Sequence, residues 1–187
     1  DMGASPNQFP GYQNVTAPGI LKKFETAWET KLNPNIGVMA TDCFPKMLTR
    51  EIRGLFIFGE DPVRTEPNTA HVIEALKALD FLVVDDLFIT ETAKYADVIL
   101  PGRSYTEKEG TFTNTERRVQ RIRKAVEIEG ETRDDTWIFT EIMNRMGYPQ
   151  PHLTAAEIMD EIASVTPSFG GISHERLDSE EVHGNGL

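Results

Sequence analysis

The chain has a single cysteine and few histidines. Because Cys43 is alone, an internal disulfide and any cysteine-based zinc or iron–sulfur site are excluded within these residues. Cys43 is interpreted as a small buried residue. The four histidines are scattered without metal-site spacing. We therefore expect no metal site and no catalytic centre in this chain.

Positive charge and long apolar runs are also scarce. The 187 residues include 30 acidic and 19 basic side chains, for a net charge of −11. Nucleic-acid binding depends on Lys and Arg, so no nucleic-acid partner is expected. No run of about 18 apolar residues occurs, so we expect no direct membrane insertion. The first residue is Asp1, and the first residues have neither the basic nor the apolar segment of a signal peptide, so we expect none within them. We expect a piece of a longer protein.

Short apolar runs alternate with helical patterns along the first part of the chain. Strands are predicted at 54–59, 81–86 and 96–102, and helices at 21–31, 42–53, 67–79 and 90–94. This alternation is typical of a parallel sheet covered on both faces. The sequence therefore predicts an α/β fold, a Rossmann-like three-layer α/β/α arrangement with a mostly parallel sheet and an irregular N-terminal arm.

The second part of the chain is less regular. Residues 103–116 show no clean period, residues 117–126 alternate like an exposed strand, and helices are predicted at 135–146 and 154–165. Thr154 and Glu157 are spaced as a capping box. We predict a lead-in arm and short helix over 1–35, a ligand-binding α/β domain over 36–177, and a frayed linker over 178–187.

Acidic residues dominate two of the three predicted strand ends. The first carries Gly59, Glu60 and Asp61, with Thr65 nearby, and the second carries Asp85 and Asp86. The third leads through Gly102 into a polar stretch with Lys108. Parallel sheets bind ligands at these ends. Each acid taken singly is equally consistent with a turn or a helix cap. Together they favour a cation, a metal or a donor-rich ligand.

Three ligands fit such a crevice. Mg²⁺ binds carboxylates, ribose hydroxyls donate to acids, and guanine presents two donors side by side. A receiver domain is disfavoured, because its acidic pair belongs near the chain start rather than 80 residues in. The basic run 116–124 fits an exposed strand paired with surface acids, or a contact with phosphate or an acidic surface.

Several longer motifs resemble a known family. They are GEDP (59–62), DFLVVDDLFITETAKYADVILPG (80–102), EKEGTFTNTERRVQRIRKAV (107–126), GETRDDTW (130–137) and NRMGYP (144–149). They are similar to those of the molybdopterin oxidoreductases, which use molybdenum or tungsten, and within them to the formate dehydrogenase catalytic subunit. The resemblance covers nearly the whole chain.

The resemblance implies the middle domain of a larger subunit. That domain binds the guanosine end of a molybdopterin guanine dinucleotide, and the iron–sulfur segment belongs to the missing N-terminal part. The implied parent reaction is formate oxidation to CO₂. The implied partners are the other domains of the subunit and electron-transfer subunits, and the fragment alone is expected to be inactive. A nitrate reductase-type domain and a stand-alone nucleotide-binding or regulatory module remain alternatives.

The same resemblance assigns cofactor-binding positions. It implies contacts from the first strand end, the second strand end and two later positions: Gly59, Glu60, Asp61, Thr65, Asp85, Asp86, Lys108 and Asp135. Asp135 or Asp86 is expected to read the guanine edge. The compartment stays open between cytoplasm and periplasm, with the cytoplasm favoured.

Overall fold

The computed structural model describes residues 5–127 and 130–179. The chain separates into two compact units. The sheet unit comprises residues 40–108 and 124–152, and the hairpin unit comprises residues 1–39, 109–123 and 153–187. The predicted domain boundaries at 35 and 177 stay a prediction. Residues 180–187 of the predicted C-terminal linker lie outside the described residues.

Strands and helices alternate through the sheet unit. The strands of the described chain are β1 (Gln8–Phe9), β2 (Gln13–Asn14), β3 (Gly54–Phe58), β4 (Phe81–Asp86), β5 (Val98–Pro101), β6 (Gly110–Thr113) and β7 (Val119–Ile122). The helices are α1 (Pro18–Ala27), α2 (Ala40–Leu48), α3 (Pro62–Thr65), α4 (Thr69–Lys77), α5 (Asp135–Arg145), α6 (Ala155–Val165) and α7 (His174–Asp178). Short 3₁₀ turns lie at Thr92–Tyr95, Tyr105–Glu107 and Pro167–Phe169.

The centre of the sheet unit is a parallel sheet with β4 between β3 and β5. Residues Leu82 and Val84 of β4 are 1% and 0% exposed, and they pack with buried side chains of α2 and α4. Alternate residues of a strand point to opposite faces. The inward residues of β3 and β4 therefore bury one face of the sheet under these two helices.

The opposite face of β3 is covered by α5. The ring of Phe139 lies 5.6 Å from that of Phe56 and 5.2 Å from that of Phe58, measured between centroids. Helices thus contact both faces of the sheet. The predicted α/β class with a parallel sheet is confirmed, and β4 has the predicted bounds.

A charged corner holds the start of β4 against the end of α2. The Asp80 carboxylate accepts from Arg50 and from Nε of Arg53, the latter at 2.6 Å. The backbone N–H of Asp80 donates to the Arg53 carbonyl at 2.7 Å. These two arginines lower the pKa of the Asp80 carboxyl.

The hairpin unit contains two antiparallel pairs, β1–β2 and β6–β7. Stacked rings of Phe9 and Phe24 lie 4.6 Å apart, and Trp28 adds a third ring. The capping box predicted at Thr154 is present at the start of α6. The strand predicted over 117–126 is present as the shorter β7. Its partner β6 is not predicted from the sequence.

The basic run of β7 meets an acid of the hairpin unit. Nε of Arg121 lies 3.1 Å from Asp178, and Arg123 donates to the same carboxylate at 2.5 Å. The Arg121 side chain is only 8% exposed. Arg121 and Arg123 therefore pair with a surface acid, as one of the two interpretations of the basic run expects. No helix among residues 5–127 and 130–179 is long and apolar enough to cross a membrane.

We expect Leu82→Ala to lower the free energy of unfolding by about 2–5 kcal/mol, because it leaves a cavity in the packed face of the sheet. Urea denaturation followed by circular dichroism measures this loss. The matched control is Leu48→Ala at the end of α2, where the side chain is 41% exposed. The control should cost less than about 1 kcal/mol, and equal losses in the two variants would contradict the described core.

Candidate functional site

The carboxyl ends of β3, β4 and β5 lie at one edge of the sheet. In the pairing register Phe58 lies opposite Asp85, and Asp86 lies opposite Pro101. The N–H of Gly59 donates to the Asp85 carbonyl at 2.9 Å, and the N–H of Gly102 donates to the Asp86 carbonyl at 3.2 Å. The residues that follow all three strands are therefore held together, as the parallel arrangement predicts.

The side chain of Asp85 is buried at this edge without a hydrogen-bond partner. The residue is 1% exposed, and neither carboxyl oxygen has a partner among the described residues. Burial, with a smaller contribution from the neighbouring Asp135, raises the pKa of the Asp85 carboxyl to about 6, while Lys108 acts in the opposite direction. An unpartnered buried carboxyl of this kind is unusual in folded proteins and marks a candidate site.

Gly102 allows two carboxylates to approach the same backbone position. A Cβ placed on Gly102 would lie 2.9 Å from Oδ1 of Asp85 and 3.1 Å from Oδ1 of Asp135. The first distance is shorter than a Cβ atom tolerates, and the second is tighter than most Cβ contacts. The absence of a side chain at residue 102 is therefore what lets Asp85 and Asp135 come together.

Asp135 reaches the edge through an extra backbone pairing. A parallel bridge joins Gly102 to Arg133, and the Arg133 N–H donates to the Pro101 carbonyl at 3.1 Å. Two residues later α5 begins, and the Asp134 side chain caps it by accepting from the Thr136 N–H. The bridge and the helix cap together place Asp135, in the first turn of α5, beside Gly102.

Lys108 completes the cluster of charges. Its ammonium donates to Oδ2 of Asp135, and the two side chains are 25% and 20% exposed. The preceding 3₁₀ turn is fixed by a capping box between Ser104 and Glu107. Asp85, Lys108 and Asp135 form the strand-end cluster, which combines two carboxyl groups with one ammonium.

The turn after β3 is arranged differently from the strand-end cluster. Gly59 has φ +61°, a left-handed conformation that favours glycine. The Asp61 carboxylate accepts from Glu91 and Thr92, and the Thr65 hydroxyl donates to the Asp61 carbonyl at 3.2 Å. Glu60 and Thr65 are exposed, and no described hydrogen bond joins them to the strand-end cluster.

Sequence reasoning missed two contributors to this edge. The sequence predicts Gly102 only as the end of the third strand and the start of the polar stretch, and Thr92 only as part of a short helix. The Pro-Gly pair at the end of β5 is a signal for the first. Thr92 gave no signal, because its partner Asp61 lies 31 residues away.

The chemistry of the edge is that of an acceptor site. Carboxylates and backbone carbonyls accept from N–H and O–H donors, and a single ammonium offsets part of the negative charge. No group of three or more His, Cys, Asp or Glu side chains suited to a metal ion occurs within the described part of the chain. The arrangement suits a ligand rich in hydrogen-bond donors and repels phosphate.

A family model described as molybdopterin oxidoreductase matches residues 9–145. The chain belongs to this family. The resemblance drawn from the motifs is therefore confirmed, and membership implies a molybdopterin cofactor. The chain is 47% identical over 188 residues to the F420-dependent formate dehydrogenase subunit alpha of Methanocaldococcus jannaschii, covering 98% of this chain and 27% of that protein.

Other relatives of the family agree. A putative formate dehydrogenase of Staphylococcus haemolyticus is 46% identical over 177 residues, covering 95% of this chain and 18% of that protein. The chain thus spans about a quarter or less of the curated relatives it matches. The acetylene hydratase of Pelobacter acetylenicus has a similar fold, with TM-score 0.59 and 24% identity over 87% of this chain and 23% of that one.

We expect Asp85→Asn to remove a pH dependence of stability. Because the folded-state pKa is raised from 3.8 to about 6, the folded chain holds a proton that the unfolded chain has lost. The free energy of unfolding therefore falls as pH rises between these values. Urea midpoints from pH 4 to 7.5 should show Asp85→Asn gaining stability relative to wild type as pH increases.

For Asp80 we expect a pH dependence of stability opposite in sign to that of Asp85. The pKa of the Asp80 carboxyl is lowered, so its stabilisation is present above its ordinary value of 3.8 and is lost as pH falls through the lower folded-state value. Asp80→Asn should be less stable than wild type at pH 7.

Parallel pH profiles for wild type and Asp85→Asn would contradict the burial of Asp85.

Proposed function

We propose that this chain binds the guanosine end of a molybdopterin guanine dinucleotide within the alpha subunit of a formate dehydrogenase. The observation that carries the proposal is the buried, unpartnered carboxyl of Asp85 beside Asp135 and Lys108. The names of the relatives, both formate dehydrogenases at 46% identity or more, support formate rather than nitrate as the parent substrate.

The strand-end cluster matches the edge of guanine better than that of adenine. Guanine offers two neighbouring donors, N1–H and the N2 amino group, next to the acceptor O6. A carboxylate accepts both donors, and an ammonium donates to O6. We assign these roles to Asp135 and Lys108. The neighbouring Asp85 carboxyl is an additional hydrogen-bond acceptor. Adenine lacks the paired donors, so it makes fewer of these bonds.

The remaining positions would surround the ribose. Gly59, Glu60, Asp61 and Thr65 follow β3, and Asp86 is the last residue of β4. Acids at such strand ends accept from sugar hydroxyls. The positive φ of Gly59 lets the backbone turn away sharply. The acidity that disfavours phosphate at this edge suits the hydroxyl-bearing part of the nucleotide.

The cofactor, when bound, supplies the two-electron chemistry, and the protein binds and orients it. In the parent reaction formate would give CO₂, a proton and two electrons. This chain's own residues hold the nucleoside and exclude phosphate from the acidic edge. We propose that the metal ligand, the iron–sulfur cluster and the electron-transfer partners belong to the rest of the subunit and its assembly, with either molybdenum or tungsten as the metal.

We expect GDP, which carries the guanosine diphosphate portion of the cofactor, to bind the 187-residue chain. Amide NMR signals of Gly59–Thr65, Asp85–Asp86 and Asp135 should shift on titration with GDP. ADP should bind at least about tenfold more weakly, because a site built for hydrogen-bond donors rejects ligands that lack them. Asp135→Asn and Lys108→Met should both reduce this discrimination.

The matched control is Lys46→Met, which removes a lysine that pairs with Glu51 at 2.8 Å at the end of α2. It should leave GDP binding unchanged. Equal shifts of the same amides by ADP would refute the guanine assignment.

In the complete alpha subunit, we expect Asp135→Ala to reduce the cofactor content. The purified subunit can be hydrolysed and the released GMP counted per polypeptide, a readout independent of activity. A variant with the same GMP content as wild type would remove Asp135 from the proposed site. The Lys46→Met subunit serves again as the control.

A further inference from the structure

Both carboxylate oxygens of Asp61 accept hydrogen bonds from the protein. The Thr92 hydroxyl donates to Oδ1 of Asp61 at 2.6 Å, and the Thr92 N–H donates to the same oxygen at 3.0 Å. The N–H of Glu91 donates to Oδ2 at 3.3 Å. These donors come from the loop that follows the neighbouring strand β4, 30 and 31 residues further along the chain.

Thr92 is oriented by a second contact. It is 0% exposed, and its hydroxyl oxygen accepts from the Val63 N–H at 3.1 Å. Because a backbone N–H can only donate, the hydroxyl hydrogen is left for Asp61. The direction of both bonds is thereby fixed. We call the contacts among Asp61, Val63, Glu91 and Thr92 the Asp61–Thr92 clasp.

The clasp joins the two loops that border the strand-end cluster. One loop begins at Gly59, whose N–H donates to the Asp85 carbonyl. The other begins at Asp86, whose Oδ1 accepts from the Leu87 N–H at 2.6 Å, and it ends at the clasp. Between these anchors Phe88 and Ile89 are 76% and 75% exposed. The loop after β4 therefore depends on its two ends for its position.

We propose that Asp61 and Thr92 are positioning residues, which hold Gly59–Glu60 and Asp86 in place around the guanosine. The inference rests on the proposed function and changes the role of Asp61 within it. Its carboxylate binds the protein instead of the nucleoside. The nucleoside contacts of this turn then come from Glu60 and from the backbone at Gly59.

The geometry separates conservative from disruptive substitutions. Asp61→Asn keeps an oxygen for both Thr92 donors and loses only the longer bond from Glu91. Asp61→Ala removes all three. Thr92→Ser keeps the hydroxyl, whereas Thr92→Val keeps the shape and leaves the Val63 N–H without its acceptor in a buried position, which is the costly case.

The test measures GDP dissociation constants of the 187-residue chain by calorimetry, together with amide NMR spectra. We expect Thr92→Val and Asp61→Ala each to weaken GDP about tenfold, and Thr92→Ser and Asp61→Asn to stay within about twofold of wild type, following the bonds each variant keeps. Without nucleotide, the first two should shift the amides of Glu60 and Asp86 but not those of Leu82 and Val84. Thr49→Val, at an exposed hydroxyl after α2, is the control and should bind normally.

Three outcomes overturn the inference. If Thr92→Val loses stability but its folded form binds GDP like wild type, the clasp is only structural. If Asp61→Ala weakens GDP while Thr92→Val does not, Asp61 contacts the nucleotide directly. If wild type does not bind GDP, the proposed function fails and this inference falls with it. Should Thr92→Val not fold, the comparison of Asp61→Ala with Asp61→Asn gives the same decision.

Discussion

Parallel pairing of β4 with both of its neighbours is the constraint on which the site depends. In a parallel sheet all strands leave at the same edge, so three loops from distant parts of the chain converge there. The amides of Gly59 and Gly102 extend the hydrogen bonding by one step beyond the paired strands. The backbone is thus fixed up to the point where the acidic side chains begin.

Burial of Asp85 gives the edge its electrostatic character. A carboxyl without partners in a low-dielectric position resists ionisation, and Asp135 nearby adds to the resistance. Lys108 relieves part of the repulsion while remaining about a quarter exposed. The edge is therefore acidic in composition, with one carboxyl that ionises at a higher pH than usual and one ammonium that offsets part of the charge, which suits a ligand rich in hydrogen-bond donors.

The sequence predicts the strand at the centre of the sheet, but it does not predict strand β6 or the contact between Lys108 and Asp135. The unbroken apolar run of β4 predicted its bounds, because a strand buried on both faces has that pattern. Strand β6, GTFT, gave no such signal, since its half-exposed polar residues carry no apolar alternation. The meeting of Lys108 with Asp135 depends on the Gly102–Arg133 bridge. No local sequence pattern predicts a bridge between segments about 30 residues apart.

The interleaving of the two units also bears on how the chain can be divided. The sheet unit is built from two segments and the hairpin unit from three, so neither is one uninterrupted stretch of sequence. A chain cut after β5 would keep the parallel sheet but lose α5, with Asp135 and the ring that covers β3. A minimal version of this candidate site would require reconnecting residue 108 directly to residue 124, as in a loop deletion, instead of truncating either end.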